Sequence, residues 1–165
     1  LATTHIPLTE VAKKIRKAKL VEIIQTLHSS LKTKFKIKHP SITVLGLNPH
    51  AGENGKIGTE EIKKINPAVE VCREMGINAS YAISADTAFT AKKLKQTDAY
   101  LAMYHDQALP VLKALSFGKA VNITLGTAIV RTSVDHGTAL DIAGKMKPNL
   151  GSIKEAIKAA EVQLK

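Results

Sequence analysis

At 165 residues and 44% hydrophobic, the chain is long enough to bury one real core, yet with 4% aromatics and no tryptophan that core must be built from Val, Ile, Leu and Ala. A formal charge of +10 fits either an acidic partner, nucleic acid or a phosphorylated metabolite, or a lysine-rich solvated surface; the lysines fall mostly on polar helix faces without interleaved aromatics, which disfavours nucleic acid. The single cysteine, Cys72, excludes an internal disulfide and suits a reducing, cytoplasmic setting, and no apolar run is long enough to span a bilayer.

The chain starts at Leu1 inside an apolar run rather than at Met, so a piece of a longer protein is expected. Thr9 is placed to cap a short helix through residue 16, and Leu20, Ile23, Ile24, Leu27 and Leu31 repeat at helical intervals to form a second. Pro40 and Ser41 end it, and Ile42-Thr43-Val44-Leu45 reads as a buried strand. A loop with Gly52, Gly55 and Gly58 leads into Thr59-Glu60-Glu61, acids that suit a helix start, and Pro67 is expected to kink or split that helix before Gly76. The loop resembles a phosphate cradle only loosely, since it lacks the Gly-Lys-Ser/Thr ending of a P-loop; a tight turn into a helix start is the equal alternative.

Tyr81-Ala82-Ile83 is a weak strand, Ala85-Asp86-Thr87 a polar turn, residues 92–96 a short helix and residues 99–103 a strand. Residues 111–115 read as helical, 121–125 as a strand, 133–137 as a loop, and 138–143 as a short helix. The closing helix carries a capping-box pattern in Ser152-Ile153-Lys154-Glu155. Strands alternating with helices predict a layered α/β fold.

Three histidines stand where apolar sequence gives way to polar or glycine-bearing segments: His5 in Thr-Thr-His-Ile-Pro-Leu, His50 in Gly-Leu-Asn-Pro-His-Ala-Gly-Glu, and His105 in Met-Tyr-His-Asp-Gln. Each can reach a cleft, and three neutral imidazoles can share one divalent metal while leaving it an open position. Singly, each is as well explained by a backbone hydrogen bond or a turn. Asp106 can orient the His105 imidazole or cap the following helix. Lys113 and Arg131 lie beside apolar sequence, where a cation calls for an anion such as a phosphate monoester. His28 and His39 read as surface residues, and Cys72 as inert packing. The chain has no GxGxxG after a strand, so a Rossmann cofactor site is not indicated.

The stretches TTHIPL (3–8), GLNPHAGENGKIGTEEI (46–62), ADT (85–87), YHDQALPVLK (104–113), VNITLG (121–126) and RTSVDHGTALDIAG (131–144) closely resemble the 4-hydroxythreonine-4-phosphate dehydrogenase family of pyridoxal phosphate biosynthesis. The resemblance runs along essentially the whole chain and covers the C-terminal half of the family's usual length. It implies NAD(P)- and divalent-metal-dependent oxidation and decarboxylation of 4-phosphooxy-L-threonine. It also implies that His5, His50 and His105 hold the metal, in a homodimer where one subunit supplies two of the histidines and its partner the third. Zinc, cobalt or nickel suits three imidazoles, and substrate oxygens bring in magnesium or manganese.

Lys113, Asn122 and Arg131 match positions that bind the phosphorylated substrate, and Asp86 and Asp106 match acidic residues beside the metal. The wider relatives implied are the isocitrate and isopropylmalate dehydrogenases, with their layered α/β/α arrangement. Their stretch against the adenosine of the cofactor resembles His136-Gly137-Thr138-Ala139-Leu140-Asp141-Ile142-Ala143-Gly144, which marks His136, Gly137, Thr138 and Asp141 as cofactor-binding. Residues 1–144 are then the metal- and substrate-binding domain, incomplete at its start, and residues 145–165 a helix that packs on the absent N-terminal domain. A His-Thr pair that contacts substrate in the family lies upstream of Leu1, so the chain alone is expected to be inactive. The alternatives are a paralogue acting on 4-phospho-threonate or 4-phospho-erythronate, or a metal-binding dimerisation fragment.

Overall fold

A computed structural model of the chain describes every residue except Phe117, Thr138, Ala139, Met146, Pro148 and Lys165, together with the side chain of every described residue but Asp141. The chain divides into two compact units, Leu1–Pro110 and Val111–Lys165. The first unit holds helices α1 (Leu8–Lys14), α2 (Lys17–Thr33), α3 (Asn66–Glu74) and α4 (Ala91–Gln96), with strands β1 (Ile42–Val44) and β2 (Ala99–Leu101). Helix α5 (His105–Ser116) begins in it, and the second unit adds β3 (Val121–Thr124), β4 (Arg131–Val134) and α6 (Gly151–Leu164).

In the first unit β1 and β2 pair in parallel, Ile42 opposite Ala99 and Val44 opposite Leu101. A parallel pair needs a long crossover, and α3 and α4 lie in it. The helical repeat of α2 buries Leu20, Ile24 and Leu31 as its spacing requires. These pack with Val11, Ile15, Ile42, Val44, Val69, Cys72, Leu101 and Met103 in one aliphatic core. Burial pushes the Cys72 thiol pKa up, which makes it inert packing.

Several local expectations give way to tertiary context. Pro7, not Thr9, precedes the first turn of α1, with no side-chain cap. The segment 81–83 forms no strand; Leu45 and Ile83 make an isolated parallel bridge, as Ile42 and Ala79 do. Pro67 sits in the first turn of α3, and a π-helical turn, Glu61–Ile65, precedes it. A proline there has no N–H to donate to the turn before it, so the wider register costs no bond.

In the second unit β4 occupies part of the stretch expected as loop, paired antiparallel with β3. Its Thr132 and Val134 lie on the face turned to α6, where the Thr132 hydroxyl donates to the Ala156 carbonyl (2.9 Å). Residues 140–142 form a 3-10 turn, and the rest of that expected helix lies partly outside the described residues. Ser152 lies inside α6 and does not cap it. Its buried hydroxyl accepts from the Asp135 N–H (3.0 Å) and donates to the Ala120 carbonyl (2.8 Å), tying both ends of the hairpin to the helix. Asn149, two residues before Gly151, satisfies one free N–H of the first turn, its Oδ1 accepting from the Gly151 N–H (2.8 Å). No helix among the described residues is long and apolar enough to cross a membrane.

Candidate active site

The N-terminal residues run beside the exit of β2. The Ala2 N–H bonds to the Ala102 carbonyl (2.7 Å), and the Met103 carbonyl accepts both the Thr3 N–H (3.1 Å) and the buried Thr3 hydroxyl (2.7 Å). That anchoring brings His5 to His105, ring centroids 5.5 Å apart. His105 opens α5 and does not sit in a loop, because the backbone turns helical directly after Tyr104. A cavity of about 310 Å³ opens beside the pair, lined by Thr4, His5, Ile6, Tyr104, His105 and Asp106 among others. Asp106 bonds His105 Nδ1 through Oδ1 at 2.5 Å, which leaves Nε2 as the nitrogen available to a ligand.

His50 does not join them. It belongs to a run of five successive residues, His50 to Asn54, with φ between 45° and 79°, in the 3-10 segment Pro49–Gly55. That segment packs against the turn Ala85–Thr87, which brings His50 within electrostatic reach of Asp86. The Ser84 hydroxyl, donating to Asp86 Oδ1 at 2.5 Å, is the main influence holding the Asp86 carboxyl below the usual aspartate range, and His50 adds to it. Among the described residues, no three His, Cys, Asp or Glu side chains gather closely enough to hold a metal ion within one chain. The donor chemistry fits a divalent cation in part: two imidazoles share one cavity and the third lies apart.

The depressed Asp86 pKa fixes a sign. The depression stabilises the fold above the unfolded-state aspartate pKa, and that contribution is lost as pH falls through the lower folded pKa. Ser84→Ala removes its largest cause, so the Asp86 carboxyl is expected to titrate closer to an ordinary aspartate. Carbon-detected NMR titration checks this, and an unchanged midpoint would transfer the effect to His50 and the backbone.

Lys113, Asn122 and Arg131 all belong to the second unit. Lys113 Nζ bonds the Asp135 carbonyl (3.0 Å) and pairs with its carboxylate (3.3 Å). The hairpin register places Asn122 and Arg131 on the same face, opposite the one that packs on α6, and Arg131 Nη1 donates to Thr124 Oγ1 (2.9 Å). His136 is exposed, its Nδ1 3.1 Å from the Gly137 carbonyl oxygen. A cavity of about 350 Å³ is lined by Lys113, Asp135, His136, Ile142, Asn149 and Ser152 among others. Thr138 lies outside the described residues, as does the side chain of Asp141. Of the two histidines expected at the surface, His39 is exposed, whereas His28 is half-buried and its pKa is lowered by desolvation and by Lys32.

Two residues that organise the site carry no signal in sequence spacing. Gln107 accepts from the Met103 N–H through Oε1 (2.7 Å) and donates from Nε2 to the Gly46 carbonyl (2.5 Å), clamping the exits of β1 and β2 together. Glu61 reads as a solvated acid at a helix start, yet it is 2% exposed. Its carboxylate fills the centre of the glycine loop, where a phosphate cradle would hold its anion, so the loop is a tight turn around an internal acid.

Residues 1–160 match the family model described as pyridoxal phosphate biosynthetic protein PdxA. A 4-hydroxythreonine-4-phosphate dehydrogenase of Chromobacterium violaceum is 56% identical over 98% of this chain and 49% of its own length. The crystal structure of 4-hydroxythreonine-4-phosphate dehydrogenase from Klebsiella pneumoniae superposes with a TM-score of 0.88 at 36% identity, over 99% of this chain and 50% of that one. A terephthalate 1,2-cis-dihydrodioldehydrogenase from Burkholderia xenovorans has a TM-score of 0.76 at 25% identity, over 96% of this chain and 50% of that one. The chain thus spans about half the length of the relatives it matches.

Proposed function

We propose, for a chain that belongs to the PdxA family of pyridoxal phosphate biosynthetic proteins, that it carries the metal- and phosphate-binding half of an NAD(P)- and divalent-metal-dependent dehydrogenase. The substrate is 4-phosphooxy-L-threonine, which is oxidised and decarboxylated in pyridoxal phosphate synthesis. The observation that carries this reading is the meeting of His5 and His105 over one cavity while His50 stands apart. That arrangement suits a homodimer in which one subunit gives His5 and His105 and its partner gives His50. Zinc, magnesium, cobalt, manganese or nickel would occupy the site.

Bound there, a divalent cation supplies Lewis acidity for the alkoxide and for the enolate left after decarboxylation. Asp106 holds the His105 ring so that one nitrogen faces the cavity. Asp86, whose carboxyl the Ser84 hydroxyl holds below the usual aspartate range, contributes negative charge near His50. Asn122 and Arg131 on one hairpin face, with Lys113, bind the phosphate. His136, Gly137, Thr138 and Asp141 bind the adenosine end of NAD or NADP, which accepts the hydride; the cavity beside His136 has the size for a small-ligand subsite.

The reading extends to a layered α/β/α arrangement of the isocitrate dehydrogenase type, to residues 1–144 as the site-bearing domain, and to a cytoplasmic setting. Residues 145–165 pack on the part of the relatives' length that this chain does not span; exposed Ile153, Ile157 and Leu164 on α6 support that role. The 165 residues alone are then inactive.

The test is turnover. A full-length family enzyme carrying this half should reduce NAD(P) with 4-phosphooxy-L-threonine, and the 165-residue chain should not. NAD(P) reduction by the chain alone would sink the half-site reading. Faster turnover of the 2-hydroxy analogues, 4-phospho-threonate or 4-phospho-erythronate, would favour the paralogue reading.

A further inference from the structure

We infer that Glu61 is the positioning residue for His50, acting as an internal anchor around which residues 46–58 are wrapped. Non-glycine residues rarely adopt positive φ, and His50, Ala51, Glu53 and Asn54 do so in succession with Gly52 among them. Such a run persists only when its surroundings over-determine it. Backbone bonds hold it in part, among them Ala51 N–H to the Asn48 carbonyl, Lys56 N–H to those of Glu53 and Gly52, and Ile57 N–H to that of Gly52. A further constraint comes from one buried carboxylate.

Glu61 Oε1 accepts the Leu47 N–H (2.7 Å) and the Asn48 N–H (2.8 Å), and Oε2 accepts Asn48 Nδ2 (2.9 Å). The chain crosses that carboxylate so closely that a Cβ on Gly52 would lie 2.6 Å from Oε2, and one on Gly46 3.1 Å from Oε1. A Cβ on Gly58 would lie 2.2 Å from Asn48 Nδ2. The acid therefore bonds the loop before His50, at Leu47 and Asn48, and packs closely against it after His50, at Gly52. His50 lies between the bonded stretch and the packed one.

The pattern of donors makes the anchor specific for a carboxylate. Asn48 Nδ2 also donates to Glu60 Oε2 (2.9 Å), so its two protons serve two acids. Glu61→Gln keeps the shape but turns an NH₂ toward that Nδ2. Flipping Asn48 would relieve this contact only by setting its oxygen against Glu60. Glu60→Gln, by contrast, can keep its own oxygen toward Asn48 and serves as the neighbouring control.

The metal part of the test rests on the His50 ligation proposed above; the rest does not. On the 165-residue chain, Glu61→Gln should broaden or split the His50 ring signal in a ¹H–¹³C spectrum. It should lower hydrogen-exchange protection at Ala51 and Ile57 about 10-fold or more, and weaken zinc binding by roughly 10–100-fold, as loss of a supporting residue does. In a His50→Ala background the same change should leave zinc affinity where that background sets it. Glu60→Gln should leave all three readouts near wild type. An unchanged His50 ring signal and unchanged protection in Glu61→Gln would overturn the assignment, as would an equal loss of zinc affinity with and without His50. If His50→Ala binds zinc as the wild type does, the metal reading fails, and the ring signal and exchange still decide on Glu61. Should Glu61→Gln not fold, Asn48→Ser, which removes only the donor to Oε2 and Glu60, is read by the same outcomes.

Discussion

Mixing a His50→Ala chain with a His105→Ala chain should restore zinc binding that neither variant has alone. In the proposed dimer each metal site takes His5 and His105 from one subunit and His50 from the other. A mixed dimer of these two variants then has one site missing two ligands and one site intact. Random pairing of a two-fold dimer from equal amounts leaves about one quarter of all sites intact. Zinc stoichiometry on metal-stripped, reloaded protein reads this directly, and each variant alone should hold almost none, since losing one of three imidazoles removes a bond that fixes the cation.

The pairing of His5 with His105, 5.5 Å apart, adds a sharper demand. A mixture of His5→Ala with His105→Ala should not recover, because every site in the mixed dimer still lacks one of the two. Recovery in that mixture would assign the two histidines to different subunits. Failure of every mixture would place the site within one chain or remove it, and stoichiometric binding by any single variant would break the constellation.

How much of this is legible in the sequence varies with how local each determinant is. The α2 stripe of Leu20, Ile24 and Leu31 and the buried run of β1 are written in spacing alone, and both formed as read. The stretches around His5, His50 and His105 identified the family because they are long and specific. Which two of the three meet is another matter. It depends on Thr3 bonding Met103 across 100 residues of chain, and no periodicity carries that. Strand β4 escaped notice for the same reason: Arg131 to Val134 becomes a strand by pairing with β3 and packing on α6.

The Ser152 pattern misled because a serine three residues before a glutamate satisfies the capping rule locally, whereas its hydroxyl is claimed by Asp135 and Ala120 from elsewhere. Glu61 is the determinant least legible in the sequence. An acid at a helix start is ordinarily solvated, and only the crowding of Gly46, Gly52 and Gly58 hints that something fills the turn.

That crowding sets the largest expected stability effect. Gly52 and Gly76 have nearly the same positive φ, 79° and 81°, so an alanine at either incurs left-handed strain of about 1–2 kcal/mol. Their surroundings differ. A Cβ on Gly76 meets nothing within 4 Å, whereas one on Gly52 would meet Glu61 Oε2 at 2.6 Å and the Gly58 carbonyl oxygen at 2.8 Å. Neither can step aside cheaply: the carboxylate is buried and held by three donors, and the carbonyl is backbone. Overpacking of this kind adds roughly 1–3 kcal/mol. Gly52→Ala should therefore destabilise the chain by about 2–5 kcal/mol and Gly76→Ala by only about 1–2, read from urea unfolding midpoints at unchanged slope. The difference between the two variants measures how firmly the loop is packed on Glu61. Equal losses would mean that the carboxylate yields its place freely, and the loop would then owe its shape to its own backbone bonds.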